Sequence, residues 1–227
     1  MSSSDVPLSP GIYDRFFTTD EGHRLHYALR LPPRYDAQQA LPLVLCLHFG
    51  GQATATYGRA FLELIPAPGF EALPALLVAP TTPWGSWTVP ASESLVWAVL
   101  ADVAQHYPVD SARCAVMGYS LGGIGAWHFA AKFPERFMAA IPIAGTPREV
   151  DLSRLRHLPL YVIHSRDDTV VPLAGDAEAV AALQAMGAPV HFAVLPRGDH
   201  FDYRLVIAEL RRVAAWLEAL WRRPPAT

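Results

Sequence analysis

Residues 113–132 read RCAVMGYSLGGIGAWHFAAK. Cys114-Ala115-Val116-Met117 is a short apolar run between Arg113 and Gly118, and it reads as a fully buried strand. Gly118-Tyr119-Ser120-Leu121-Gly122 follows at once. Small and apolar residues then continue in a helical stretch from Leu121 to about Lys132, closed by Pro134. Strand, sharp turn and helix is the setting in which the pattern G-x-S-x-G exposes a serine hydroxyl. A side chain at position 118 or 122 would crowd the neighbouring strand and helix, and glycine relieves both. The Ser120 hydroxyl then stands at the positive end of a helix, where developing negative charge is favoured.

The rest of the chain alternates apolar runs with helical patterns. Strands are expected over 12–18 and 23–31, joined at Thr19-Asp20-Glu21-Gly22, and again over 43–47 and 75–79. Residues 52–74 contain prolines and are poorly periodic. A loop over 81–90 carries Trp84 and Trp87. A helix is expected from Ser92, its candidate N-cap, to His106, with Leu95, Val96, Val99, Leu100 and Val103 as its buried stripe. Further strands are expected over 137–143, 158–163 and 190–195, and helices over 173–186 and 201–221. Gly187 suits the residue just past the first of these helices. This alternation predicts an α/β fold: one domain over 1–227 with a mostly parallel sheet of about eight strands and helices on both faces. Residues 1–10 and 223–227 are expected to be frayed. Only a short loop separates strands 137–143 and 158–163, so no large lid is expected.

Composition narrows the partners. The 227 residues are 52% hydrophobic and 17% charged with net charge −3, and Lys and Arg form no long run. Nucleic acid and anionic membranes are therefore unexpected partners. No apolar run reaches about 18 residues, so no membrane insertion is expected. The first fifteen residues include Asp5 and Arg15 and lack the apolar core of a signal peptide, which makes the cytoplasm the expected compartment. Cys46 and Cys114 both fall in expected core strands and read as small buried hydrophobes. No His/Cys/Asp cluster has zinc-like spacing and no glycine-rich phosphate loop follows a strand. No metal and no cofactor are expected.

In sheets of this kind, functional groups gather beyond the carboxyl ends of the strands. Four expected strands deliver such groups: His48-Phe49-Gly50-Gly51, Ser120, Asp167-Asp168 and His200. A serine hydroxyl becomes a nucleophile when a base takes its proton, and an acid must hold that base in one tautomer. Of nine histidines, only His200 follows the acid and lies in a loop after the last strand. The chain order Ser, Asp, His is that of α/β-hydrolases.

Nearly the whole chain resembles the α/β-hydrolases. The matching stretches are L-H-F-G-G at 47–51, G-Y-S-L-G-G at 118–123, H-S-R-D-D-T-V-V-P at 164–172 and G-D-H at 198–200. The third is similar to the H-G-x-x-D-x-x-V-P stretch of phospholipase/carboxylesterase-like and dienelactone-hydrolase-like serine esterases, with Asp168 at the acid position. The resemblance implies Ser120 as nucleophile, Asp168 as orienting acid and His200 as base. Phe49 stands where many relatives have Gly, and Ser165 replaces the Gly after His164. The oxyanion hole would use the Leu121 N–H and one N–H from the loop after His48; Gly50 is the choice and Phe49 the alternative. His48 itself reads as a structural hydrogen-bonding residue. Phe49, Trp84 and Trp87 are candidate substrate-binding residues. The expected activity is hydrolysis of small or short-acyl carboxylic esters or thioesters through an acyl-enzyme. A peptidase or amidase of the same fold, or a hydrolase-fold binding protein without turnover, is the alternative.

Overall fold

The computed structural model describes residues 6, 8–19 and 22–222. Residues 1–5, 7 and 223–227, where frayed ends are expected, lie outside them, as do Asp20 and Glu21 of the first turn. Eight strands form one sheet in the order β1-β2-β4-β3-β5-β6-β7-β8. These are β1 (Gly11–Thr18), β2 (Arg24–Leu31), β3 (Leu41–Leu47), β4 (Leu76–Pro80), β5 (Val109–Tyr119), β6 (Ala139–Ile143), β7 (Leu160–Ser165) and β8 (Val190–Leu195). β1 pairs antiparallel with β2, and β2 with β4; every other pairing is parallel. The β3–β5 register shifts between Leu41 and Leu43, where Pro42 has no N–H for the ladder.

β3, β4 and β6 are buried at every position. Such runs are apolar on both faces because both faces are covered. Leu43, Leu45 and Leu47 point to one side, packing with α3 (Pro90–His106), α4 (Leu121–Lys132) and α5 (Ala174–Ala185). Val44 and Cys46 point to the other, toward α1 (Tyr57–Leu64) and α6 (Tyr203–Trp221). Consecutive residues of a strand alternate between these two cores. Among the described residues no helix is long and apolar enough to cross a membrane.

The helices refine the sequence expectations at three places. α1, and the single turn α2 (Pro66–Gly69) behind it, occupy the stretch read as irregular. Phe61, Leu62 and Ile65 are fully buried and anchor it, but Pro66 ends the pattern after little more than two turns. α3 begins two residues earlier than expected. Pro90 takes the first turn, and Ser92 lies inside the helix as a buried hydroxyl bonded to the Ser86 carbonyl (2.5 Å) and Thr82 Oγ1 (2.8 Å), not as a cap. α5 ends as Gly187 allows: Gly187 has φ 73°, its N–H reaches Gln184 O (2.9 Å), and the Ala188 N–H reaches Leu183 O (3.0 Å).

β3 is the switch point of the sheet, since the chain leaves it toward β4 on one side while β5 lies on the other. The loops after β3 and β5 therefore diverge and open a crevice above their carboxyl ends. The walls of that crevice meet at Gly118 and Gly122. A Cβ on Gly118 would lie 2.0 Å from Gly122 O, and one on Gly122 would lie 1.9 Å from Leu47 O. Both contacts are backbone, so no side chain can swing aside.

Gly122→Ala should therefore cost about 3 kcal/mol or more of stability, the upper range for overpacking a core. Gly187→Ala, with nothing within 4 Å of the added carbon, should cost only about 1 kcal/mol for its left-handed backbone. Urea unfolding followed by circular dichroism checks the ranking; equal midpoints for the two variants would contradict it.

Candidate active site

β5 delivers Ser120 into a strained turn. Its φ of 57° and ψ of −116° are rare for a residue with a side chain, and such strain costs roughly 1–3 kcal/mol. The turn is held from both sides: the Ser120 N–H donates to Ile143 O on β6 (2.8 Å), and the Ser120 carbonyl accepts from the Ile124 N–H in α4 (3.0 Å). The hydroxyl is left half-buried at the α4 N-terminus.

The loop after β7 delivers the candidate acid. Asp168 is buried and Asp167 is exposed, so the two adjacent carboxylates occupy different environments. Asp168 Oδ1 accepts the N–H groups of Val170 (2.9 Å) and Val171 (2.8 Å). Oδ2 faces His200 Nδ1 at 2.6 Å. His200, in the loop after β8, is 3% exposed, and its Nε2 lies 2.9 Å from Ser120 Oγ. An acceptor-only carboxylate assigns the ring proton to Nδ1, so Nε2 is free to accept the serine O–H. The three side chains named from sequence thus form one continuous hydrogen-bonded line.

Two further side chains hold the His200 loop: Tyr119, which pattern reading did not single out, and Ser165, noted only as a departure from the resembling motif. The Tyr119 hydroxyl donates to the His200 carbonyl, and Tyr119 is 2% exposed. The Ser165 hydroxyl at the end of β7 lies against the carbonyls of Arg197 (3.1 Å) and Gly198, tying the strand that leads to Asp168 to the loop that carries His200. A glycine at 165 could not make this tie. Tyr119 occupies a variable position of the serine motif, so nothing in the pattern marks it.

The loop after β3 is organised by His48. Its Nδ1–H donates to Phe49 O (2.7 Å) and its Nε2 accepts the Thr82 N–H (3.2 Å), the bonding of a neutral imidazole. Burial pushes its pKa down to about 4, against the pull of the Phe49 carbonyl. The Phe49 carbonyl is turned toward the His48 ring, so in a trans peptide the Gly50 N–H on the same plane points the opposite way. The Gly50 carbonyl is pinned by the Tyr57 hydroxyl (2.9 Å). A Cβ on Gly50 would lie 3.8 Å from the Leu121 Cβ, so the two candidate oxyanion residues are neighbours.

The aromatic candidates separate. Trp87 is fully buried, its indole N–H donates to His48 O (2.9 Å), and it packs against Gly125; it is a core residue and not a pocket wall. Phe49 is half-buried and stacked on Tyr203, edge-on to Tyr57, Phe61 and Tyr119. Its ring fills an aromatic group between the β3 loop and α6, which accounts for a large side chain where many relatives have none. Trp84 is 47% exposed and lines an open cleft of about 910 Å³ with Leu25, His26, Ala53, Thr81 and Leu95. This cleft lies beyond the carboxyl end of β4, and none of Ser120, Leu121, Gly50, Asp168 and His200 lines it. Among the described residues no group of three or more His, Cys, Asp or Glu side chains is arranged to hold a metal ion.

Fold and site together define an α/β-hydrolase. A profile of the dienelactone hydrolase family matches residues 91–204, half of the chain, and spans Ser120, Asp168 and His200. The chain therefore belongs to the dienelactone hydrolase family, an ester-hydrolase family. No curated protein matches the sequence. Among solved structures, a thermostable esterase is 24% identical with a TM-score of 0.74, over 92% of this chain and 62% of that one. A ferulic acid esterase is 17% identical, TM-score 0.76, over 93% of this chain and 99% of that one. An S-formylglutathione hydrolase from Staphylococcus aureus is 16% identical, TM-score 0.71, over 94% and 99%. At these identities the likeness is one of fold.

The His48 geometry makes a direct prediction. Its imidazole should stay neutral, with the proton on Nδ1, throughout pH 5.5–8, and begin to charge only as pH falls toward about 4. Histidine NMR across that range checks this, and a His48 titration midpoint near the ordinary 6.5 would contradict it.

Proposed function

We propose that this protein is a serine esterase that hydrolyses carboxylic esters or thioesters of small or short-acyl substrates through an acyl-enzyme. The observation that carries the reading is the Ser120–His200–Asp168 line, with contacts of 2.9 and 2.6 Å, raised on a strained turn at a helix N-terminus. In this reading Ser120 Oγ attacks the ester carbonyl while His200 Nε2 takes its proton. Asp168 keeps the other ring nitrogen protonated and stabilises the imidazolium that forms. The carbonyl oxygen, now an anion, is held by the Leu121 and Gly50 N–H groups, each worth about 3 kcal/mol of barrier. His200 then returns its proton to the departing alcohol or thiol. Water, activated by the same imidazole, attacks the acyl-serine, and the acid is released.

The orientation of the Phe49–Gly50 peptide supports Gly50 over Phe49 as the second donor, because the His48 bond turns the Gly50 N–H away from the imidazole. Trp84, exposed on the loop after β4, is the candidate apolar wall for the substrate. The open approach supports small substrates: β6 and β7 are joined without an inserted helical lid. We place the activity in the cytoplasm, in keeping with the two unpaired thiols.

Ser120→Ala should fold like the wild type and lose essentially all turnover of p-nitrophenyl acetate. Asp168→Asn should lose about 10⁴ in kcat, the cost of the wrong tautomer, while the exposed Asp167→Asn stays within about tenfold. Wild-type turnover by Ser120→Ala would overturn the mechanism, and the reverse order of the two aspartate variants would move the acid to Asp167. In a chain-length series, kcat/KM should fall from acetyl and butyryl to long-chain esters; a rise would contradict the small-substrate assignment.

A further inference from the structure

We propose that His164 and Asp176 are a second imidazole–carboxylate couple, packed behind Asp168, whose task is to position the acid of the Ser120–His200–Asp168 line. This rests on the function proposed above and extends it to two residues outside that line.

The couple is fully enclosed. His164, on β7, and Asp176, in the first turn of α5, are 1% and 0% exposed. His164 Nδ1 lies 2.7 Å from Asp176 Oδ2, and Asp176 Oδ1 accepts the indole N–H of Trp127 on α4 (3.0 Å). On its other side His164 Nε2 lies 2.8 Å from Val171 O and 3.5 Å from Asp168 Oδ2. Structural packing alone rarely retains two ionisable groups and an indole N–H in so dry a place, because burying charges costs more than burying hydrocarbon.

The hydrogen-bond inventory fixes the protons. Val171 O is a carbonyl and can only accept, so Nε2 must carry hydrogen. Nδ1 faces a carboxylate, which leaves one further proton between the two groups. Burial works against charge on His164, but Asp176, the Val171 carbonyl and Asp168 outweigh it and raise its pKa above the ordinary histidine value. Burial raises the pKa of Asp176, but both of its oxygens face donors, from Trp127 and His164, and on that geometry we place the shared proton on the imidazole. His164 is then an imidazolium, neutralised by Asp176, with one N–H aimed at the acid's own turn.

Two consequences reach Asp168. The His164 Nε2–H holds the Val171 carbonyl, and Val171 and Val170 supply the two N–H groups that clamp Asp168 Oδ1. The same cation faces Oδ2, the oxygen that bonds His200. Asp168 is thereby fixed at one oxygen by its turn and faced at the other by two imidazoles. The titratable and charged groups around His164 are Asp176 from α5, Asp168 and through it His200, Tyr119 from β5, and Arg197, Asp199 and Asp202, which share a small cavity with it. Tyr119 stays a neutral phenol, since burial raises its pKa.

The test compares wild type, Asp176→Asn and His164→Gln on p-nitrophenyl acetate over pH 5–9, with Ser120→Ala as control. Asn at 176 can still accept from Trp127 and meet His164 Nδ1, but it leaves the imidazole neutral; Gln at 164 keeps an amide donor for Val171 without a cation. With the cation removed from beside Asp168 Oδ2, the acid limb of kcat/KM should move to higher pH by about half a unit or more in both variants. kcat/KM at the plateau should fall about tenfold or more, the usual cost of losing an orienting partner behind a functional ligand. An unchanged limb and plateau, or lowered thermal stability with an unchanged limb, would show the couple to be packing only and overturn the proposal. Nitrogen-15 NMR of the wild type tests it without any variant: both His164 ring nitrogens should be protonated at pH 7.5, and a neutral His164 ring overturns it. Turnover that survives Ser120→Ala would instead refute the mechanism on which the couple depends. Ser120-dependent turnover with an unaltered Asp176→Asn profile would refute the couple alone.

Discussion

Gly122 passes so close to Leu47 O that any side chain there would overlap it, and this backbone approach is what the site is built on. It lets α4 start directly above the end of β5, which forces Ser120 into a turn with φ 57°. That strain persists because two hydrogen bonds, to Ile143 and from Ile124, lock the turn to the neighbouring strand and helix. It also brings the α4 N-terminus beside the loop after β3, so that Gly50 and Leu121 become neighbours.

The remaining parts of the site are held by cross-links between loops that leave different strands. Ser165 ties the end of β7 to the loop carrying His200, and Tyr119 ties β5 to the same loop. His48 holds the β3 loop as a neutral imidazole between Phe49 O and the Thr82 N–H. The Tyr119 and Thr82 bonds are buried and the Ser165 and Phe49 bonds part-buried, so water competes little with the first two and the loops are held at several points. The geometry over Ser120 is therefore a property of the sheet edge as a whole, and the exposed Asp167 next to the buried Asp168 shows how sharply that edge discriminates between chemically identical side chains.

Much of this was legible in the sequence. Residues 113–132 contain a strand, glycines at 118, 122 and 123 that leave no room for a Cβ, and a helix with almost no polar face, and Leu121–Lys132 forms the helix at those bounds. Asp168 and His200, the candidate acid and base, stood out because each follows an apolar run and because their order along the chain is distinctive, and the fold brings them within 2.6 Å. What was not legible depends on contacts between distant elements. Ser92 looks like a cap beside its helix but is drawn inward by Ser86 and Thr82. Trp87 sits in a loop by sequence, yet the small Gly125 gives its ring a place in the core. α1 buries Phe61 and Leu62 in too few turns, with Pro66 behind them, to show a period. The pairing of His164 with Asp176 needs β7 and α5 to pack, and no spacing along the chain announces it.

The central claim is that Ser120 is activated by His200 and Asp168 at that strained turn. The most direct measurement is intact-protein mass spectrometry after treatment with a fluorophosphonate, followed by peptide mapping. One stoichiometric adduct on Ser120, absent from His200→Ala, is the predicted result. A protein left unmodified, or modified at another residue, would contradict the account.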